Sequence, residues 1–351
     1  MTKKHLDEQS GLDSRVDHWV DYFYNRGVSL ELINEYKVFI RHLMSKDLPI
    51  IFELEHLSEL VGIKYPEFLK IINNPDEYYR HFEIKKRKGG KREILAPLPS
   101  LLHCQRWVYK EILTKSVVHD NAHGFITNRS IITNASLHLN KKCILKMDIK
   151  DFFPSIPINW VINYFSSLGY PNNVSYYLSA ICCCNNVLPQ GAATSPYLSN
   201  ILLLSLDDRL TRLSKKYNYN LVYSRYADDM NFSGEYIPSN FSKIVSEIIS
   251  SYGLEANSGK TQLLTKRGKR IITGLSVSGD TLTIPRNKKR EIRKELHYIE
   301  KFGYLSHAAK LKIKNPAYID SLEGKLTFWL QVEPDNAFAK SGLLLIRNIR
   351  K

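Results

Sequence analysis

LVYSRYADDMNFS, Leu221 to Ser233, is the stretch whose reading decides the fold. Strand-type residues (Val222 and Tyr223 before, Met230 and Phe232 after) flank Ala227-Asp228-Asp229, so it reads as two strands joined by a tight turn. Aspartate suits turns for local reasons, so these acids alone describe an ordinary hairpin. A third acid changes the reading. ILKMDI, Ile144 to Ile149, is a compact apolar strand with Asp148 near its end, where a charge is costly unless it is used. Successive strand side chains alternate faces, and only a tight turn relaxes the divergence of Asp228 and Asp229. Asp228, with Asp148 opposite it, is therefore the expected principal metal ligand, and Asp229 a weaker ligand or a charge support. Carboxylates converging at a surface suit phosphoryl transfer, in which a pair of divalent ions about 3.5–4 Å apart stabilises both ends of the displacement. Magnesium is the expected ion, two per site, because it takes a few carboxylates together with waters and substrate phosphates.

Outward from this pair, residues 1–78 read as helical, with Leu54, Leu57, Leu60 and Val61 at helical spacing. His81 to Pro97 reads as a hairpin about Gly89-Gly90, its tip carrying Lys85, Lys86, Arg87, Lys88, Lys91 and Arg92. Helices are expected over Leu101–Leu113, Trp160–Leu168, Ser175–Cys184 and Phe241–Ser250, and a long one after the loop LPQGAATSP. A second hairpin is expected over Ile271–Ile284, turning at Ser278-Gly279-Asp280. From Pro285 onward the chain reads as basic helix, with Ile292, Leu296, Ile299 and Phe302 as one apolar stripe.

The 351 residues are 43 % apolar and carry a net charge of +15, the composition of an ordinary globular protein whose first-choice partner is nucleic acid. About half of that charge lies after Pro285, where 15 Lys or Arg face seven Asp or Glu. No run approaches the ~20 apolar residues of a membrane helix, and the N-terminus lacks the apolar core of a secretory signal. A soluble, cytoplasmic protein without membrane association is expected. The five cysteines, with Cys182, Cys183 and Cys184 adjacent, read as buried free thiols rather than a zinc site.

At this point the residues resemble a family. YADD (Tyr226 to Asp229) resembles the signature of reverse transcriptases, and MDIKDFFPSI (Met147 to Ile156) their other catalytic strand. LPQGAATSPYLSN (Leu188 to Asn200), GLEANSGKT (Gly253 to Thr261) and IITGLSVS (Ile271 to Ser278) resemble three further blocks in family order. Asn134-Ala135 with His138, and Ile272-Thr273-Gly274, resemble the NAxxH and VTG elements of bacterial retron reverse transcriptases, Ile standing for Val in the second.

The resemblance implies an α+β right-hand polymerase: an N-terminal helical region (1–78), fingers (79–146), an antiparallel-sheet palm with some finger helices (147–284) and a basic helical thumb (285–351). It implies an RNA-directed DNA polymerase that binds a structured noncoding RNA and primes from a guanosine 2′-hydroxyl. The product would be branched RNA–DNA (msDNA), made from deoxynucleoside triphosphates in an anti-phage system with a separate effector protein. The brevity of the chain after the last block leads to the expectation that no ribonuclease H, maturase or endonuclease domain follows.

Asp148, Asp228 and Asp229 are then the catalytic, metal-holding set. Lys91, Arg92 and Lys260 match phosphate-contact positions, and Gln190 and Gly191 the nucleotide loop. Phe153 matches the aromatic that blocks a ribose 2′-hydroxyl, its alternative being core packing beside Phe152. Tyr226 is expected against the primer end. Asn134 and His138, four apart on a helix, are expected to contact RNA or support the fingers, with a structural histidine as the alternative. Lys288, Lys289 and Arg290 are expected on the RNA backbone. Other bacterial reverse transcriptases (abortive-infection or CRISPR-associated), an RNA-directed RNA polymerase and an RNA-binding scaffold restraining an effector remain as alternatives.

Overall fold

The computed structural model describes residues 3–85, 89–216, 220–265, 268–310, 312–313 and 315–350. Lys86, Arg87 and Lys88 of the basic tip lie outside the described residues.

The N-terminal helices are α1 (Lys3–Asn25), α2 (Leu30–Ser45), α3 (Leu54–Val61) and α4 (Tyr65–Asn73). Ser29 caps α2 by accepting from the Leu32 N–H, and Gly62 ends α3 in the left-handed conformation that glycine adopts freely. Leu54, Leu57 and Val61 are buried as their spacing requires, whereas Leu60 turns to solvent. β1 (Tyr79–Lys85) and β2 (Lys91–Pro97) pair antiparallel, and Gly89 and Gly90 both hold positive φ at their turn. α5 (Pro99–Glu111) and α6 (Ile131–Ser136) precede β3 (Cys143–Asp148). α7 (Ile158–Leu168), α8 (Asn172–Cys182), α9 (Ser195–Leu202) and α10 (Leu204–Lys215) follow, so the long helix expected after Gln190 is broken at Leu203. Then come β4 (Val222–Tyr226), β5 (Asp229–Gly234), α11 (Phe241–Ser251), β6 (Gln262–Leu264), β7 (Ile271–Ile272) and β8 (Leu275–Ser276). α12 (Arg286–Phe302), α13 (Tyr304–Lys310), α14 (Tyr318–Val332) and α15 (Ala337–Arg350) close the chain.

The chain divides into two compact units, residues 1–119 with 150–206, and residues 120–149 with 207–351. In the first, α3, α4, α5, α7, α8 and α9 share one apolar cluster that includes Leu57, Phe68, Val108, Phe165, Leu178 and Leu198, all fully buried. Cys182, Cys183 and Cys184 are buried in it as free thiols. Burial pushes the Cys182 thiol up to about 12 and Cys183 well above its ordinary value, which keeps both inert.

In the second unit the described strands form a four-stranded antiparallel sheet in the order β4-β5-β3-β6. Its centre is β5 and β3, and β3 is buried at Ile144, Leu145, Met147 and Asp148. Phe232 of β5 meets Tyr223 of β4 at 4.9 Å and Phe241 of α11 at 5.3 Å. Ile144 instead joins a cluster with Leu275, Leu296, Leu322 and Trp329, which binds the C-terminal helices to the sheet.

Two expectations are corrected here. The hairpin of 271–284 turns at Thr273-Gly274, where both residues hold positive φ, with Ile272 paired to Leu275. Ser278-Gly279-Asp280 lies in a wider loop closed by one bridge between Ser276 and Thr283. Phe302 leaves the α12 stripe and is 51 % exposed, because ten residues of helix rotate it about 80° from Ile292. Among the described residues no helix is long and apolar enough to cross a membrane.

Candidate active site

The site is built on the two-residue turn between β4 and β5, closed by the pair Tyr226 and Asp229. Ala227, first in the turn, holds φ 57°, a conformation hairpins usually give to glycine. Three contacts hold it. The segment 121–124 runs beside β4, with the Arg225 N–H donating to the Asn121 carbonyl (2.8 Å) and the His123 N–H to the Arg225 carbonyl (2.7 Å). Gly124 lies so close that a Cβ there would stand 2.9 Å from the Ala227 nitrogen. The Arg225 guanidinium donates to the Ala227 carbonyl at 3.2 Å.

That guanidinium is the feature the sequence reading missed. Arg225 and Asp207 are both fully buried, with Arg225 Nε 2.8 Å and Nη2 2.5 Å from the two Asp207 oxygens. The Tyr223 hydroxyl also donates to Asp207, at 2.7 Å. Burial works against the Arg225 charge, but the Asp207 carboxylate outweighs it and raises the Arg225 pKa. A charged residue inside an otherwise buried strand signals such a partner, since an unpaired charge there is prohibitive.

Asp148 ends β3 directly opposite Asp229 on β5, so their side chains share a face of the sheet. Asp229, not Asp228, is thus Asp148's partner in register. Asp228 stands in the turn, its carbonyl accepting the Ile149 N–H at 3.2 Å. Like charges so placed repel. Burial first, then Asp148 and Asp229, push the Asp228 carboxyl up to about 6. Asp229 is raised as well, by burial and by Asp148, against the pull of Lys146 and Lys260. Lys260 Nζ lies 2.9 and 2.7 Å from the two Asp148 oxygens, and the Asn257 N–H donates to the Asp148 carbonyl at 2.7 Å. Burial opposes the Lys260 charge, yet its bonds to Asp148 and the fields of Asp228 and Asp229 raise its pKa.

Three carboxylates thus gather with two ammonium groups, Lys260 bonded to Asp148 and Lys146 acting on Asp229, and the raised Asp228 pKa marks a site still short of positive charge. Among the described residues no group of three or more His, Cys, Asp or Glu is already disposed as a metal cage, and both Asp148 oxygens are turned to Lys260. The donor chemistry nevertheless fits magnesium, which prefers carboxylate oxygens and few of them.

The other expected residues divide between the units. In the first, Lys91 and Arg92 are exposed on β2, Lys91 paired to Glu83 at 2.5 Å. The Gln190 carbonyl accepts the Leu95 N–H at 2.9 Å. Gly191, at φ +132°, lets the loop pack on β2, since a Cβ there would fall 2.6 Å from the Leu95 oxygen. Phe153 is half-buried beside Phe152, ring centroids 5.1 Å apart. In the second, Tyr226 is half-buried, 6.2 Å from the Phe125 ring.

For Asn134 and His138 the structural alternative holds in place of an RNA contact, and the RNA contact expected of Lys289 is corrected. Asn134 and His138 are fully buried and bonded internally, and His138 lies beyond the end of α6. The Ser224 hydroxyl donates to Asn134 Oδ1 (2.6 Å), so His138 Nε2–H donates to Ser224 (2.7 Å) and Nδ1 accepts from Ser233 (2.6 Å). Burial, then His123 and Lys141, lowers the His138 pKa to about 3, keeping the ring neutral. These residues tie α6 to β4 and β5 and have no surface to offer RNA. Lys289 is also turned inward, 2.7 Å from Glu333 and 5.5 Å from the Trp329 ring. Lys288, paired to Glu291 at 2.7 Å, and Arg290 are exposed.

The sequence of residues 84–305 matches the family model described as reverse transcriptase (RNA-dependent DNA polymerase). The chain belongs to that family. Retron enzymes are among its relatives. The chain is 35 % identical over 279 residues to the retron Ec86 reverse transcriptase of Escherichia coli, covering 77 % of this chain and 84 % of that one. It is 34 % identical over 249 residues to the retron Mx65 reverse transcriptase of Myxococcus xanthus, covering 64 % of this chain but only 58 % of that longer relative. A solved telomerase from Candida albicans overlaps 77 % of this chain and 63 % of its own at 12 % identity and a TM-score of 0.42, too distant to carry an argument. This reverse transcriptase is thus of the retron type, with an α+β polymerase fold.

The raised Asp228 pKa has a measurable sign. In metal-free reverse transcriptase the folded Asp228 keeps its proton to about pH 6, whereas its ordinary value is 3.8. Folded protein therefore binds the extra proton between those values, and stability falls as pH rises through the window. Asp228→Asn removes that penalty. Urea unfolding in EDTA should find the variant more stable than the parent by on the order of 1 kcal/mol near pH ~8, the difference vanishing below pH ~4. Equal or lower stability at the higher pH would refute the repulsion.

Proposed function

We propose that this chain copies a structured noncoding RNA into DNA from a guanosine 2′-hydroxyl, yielding a branched RNA–DNA molecule. RNA-directed DNA polymerisation is the reaction of its family, and retron enzymes are among its relatives. The observation that carries the reading is the charge-deficient trio at the end of β3 and the β4–β5 turn, Asp148 facing Asp229 with Asp228 beside them. Asp148 and Asp228 would hold divalent cations, with Asp229 in support. When bound, the cations would offset charge on the attacking and leaving oxygens. Arg225, fixed by Asp207, holds the carbonyl of the turn that carries the acids, so the carboxylates are pre-positioned.

The remaining assignments follow the same reading. We take the β1–β2 hairpin as fingers, the four-stranded sheet as palm and the helices after Pro285 as thumb. Lys91 and Arg92 would meet the triphosphate and Gln190 the incoming nucleotide, while Tyr226 would support the primer end. Lys260, now on Asp148, would turn to phosphate. Phe153 would exclude a ribose by bulk, and Arg290 and Lys288 would follow the RNA backbone. Anti-phage defence, a separate effector and a cytoplasmic location belong to the same proposal.

Two experiments test it. Nucleic acid co-purified with the protein should be one covalent species, shortened by RNase and by DNase alike; separable RNA and DNA strands would refute 2′-primed synthesis. Phe153→Ala should raise ribonucleotide incorporation by about tenfold or more, since opening a pocket by a few carbons shifts discrimination by ~1–3 kcal/mol. Unchanged sugar selection in a primer-extension assay would remove Phe153 from this role.

A further inference from the structure

Remote from the acids in sequence, the N-terminal helices surround a cleft of about 690 Å³. Trp19, Tyr22 and Phe23 of α1, Tyr36 of α2 and Phe52 before α3 meet there with ring centroids 5.1–5.9 Å apart. None of these rings is buried, and Tyr22 is 42 % exposed. A core would enclose them; here four rings stay half-buried and Tyr22 is exposed, aromatic surface of the kind that marks an interaction site. His56 stacks on Phe52 at 5.6 Å, and its Nδ1 has no hydrogen-bond partner among the described residues.

The rim is acidic. Glu53, Glu55 and Glu59 line the cleft, all are exposed, and none forms an ion pair among the described residues. On a chain of net charge +15 this is a local reversal of sign. Carboxylates repel phosphates, so the cleft disfavours the nucleic acid that the basic surface attracts. Aromatic faces with carboxylates beside them suit a flat cation able to stack and to donate a forked pair of hydrogen bonds. The chain already makes half of this arrangement: the Arg26 guanidinium sits 4.5 Å from the Tyr22 ring centroid.

We propose that this cleft receives an arginine side chain presented by a partner protein. The guanidinium stacks on the aromatic faces while Glu53 and Glu59 accept its N–H groups. The proposal goes beyond polymerisation and does not depend on it.

The test uses the full-length, nucleic-acid-free protein and a fluorescein-labelled peptide of alternating arginine and glycine. The matched peptide carries citrulline, which keeps the shape and loses the charge. The arginine peptide should bind, and the citrulline peptide at least about tenfold more weakly. The double variant Glu53→Gln/Glu59→Gln, surface changes that spare the fold, should lower affinity for the arginine peptide by about tenfold. Its DNA synthesis on an annealed primer–template should be unchanged, which separates this outcome from any failure of the polymerase reading. No binding of the arginine peptide, equal binding of both peptides, or parent-like affinity in the double variant would overturn the proposal. So would a loss of affinity for single-stranded RNA in that variant, which would make nucleic acid the occupant.

Discussion

Repulsion between carboxylates on neighbouring strands is the constraint around which the second unit is arranged. Antiparallel pairing puts Asp148 and Asp229 face to face, and the turn adds Asp228. Opposed like charges destabilise a sheet by tenths of a kcal/mol to about 1 kcal/mol even at its surface, and burial increases the effect. The sequence tolerates this because the rest of the sheet is strongly held. β3 lies between β5 and β6, Ile144 faces the C-terminal cluster, and Lys260 supplies part of the missing positive charge. Residual repulsion at a site is what a cation-dependent reaction exploits, since the same charge that strains the sheet attracts cations.

The repulsion has to be prevented from simply opening the turn. Arg225 and Asp207 serve this end. A buried pair contributes little net stability, but loss of either partner leaves a stranded charge, so it fixes geometry more than it adds energy. Here it joins α10 to β4, engages Tyr223, and reaches the Ala227 carbonyl in the turn itself. A few residues away, the Asn134–Ser224–His138–Ser233 chain secures α6 on the same two strands. The motif that looks like an RNA contact in the sequence is thus internal bracing for the β4–β5 hairpin.

Local patterns were legible in advance where the physics is local. The β4–β5 turn, β3, the Gly89-Gly90 hairpin and the stripe of α12 through Ile299 follow from alternation, turn chemistry and helical spacing. What escaped depends on distant partners. Nothing in the sequence beside Asp207 points to its partner, and only the fold brings Arg225 to it from 18 residues away. His138 needs hydroxyls 86 and 95 residues onward, and Lys289 a glutamate 44 residues onward, before its burial makes sense. The turn at Thr273-Gly274 was hidden because Thr273 takes a positive φ that threonine seldom adopts, while Ser278-Gly279-Asp280 has the commoner turn composition.

Asp148 and Asp228 stand where positive charge is short, and we propose that divalent ions fill that deficit. Manganese binding followed by electron paramagnetic resonance measures this without requiring turnover. The parent protein should take up Mn²⁺, and Asp148→Asn and Asp228→Asn should each weaken the binding by at least about tenfold. Parent-like Mn²⁺ affinity in both variants would contradict the account.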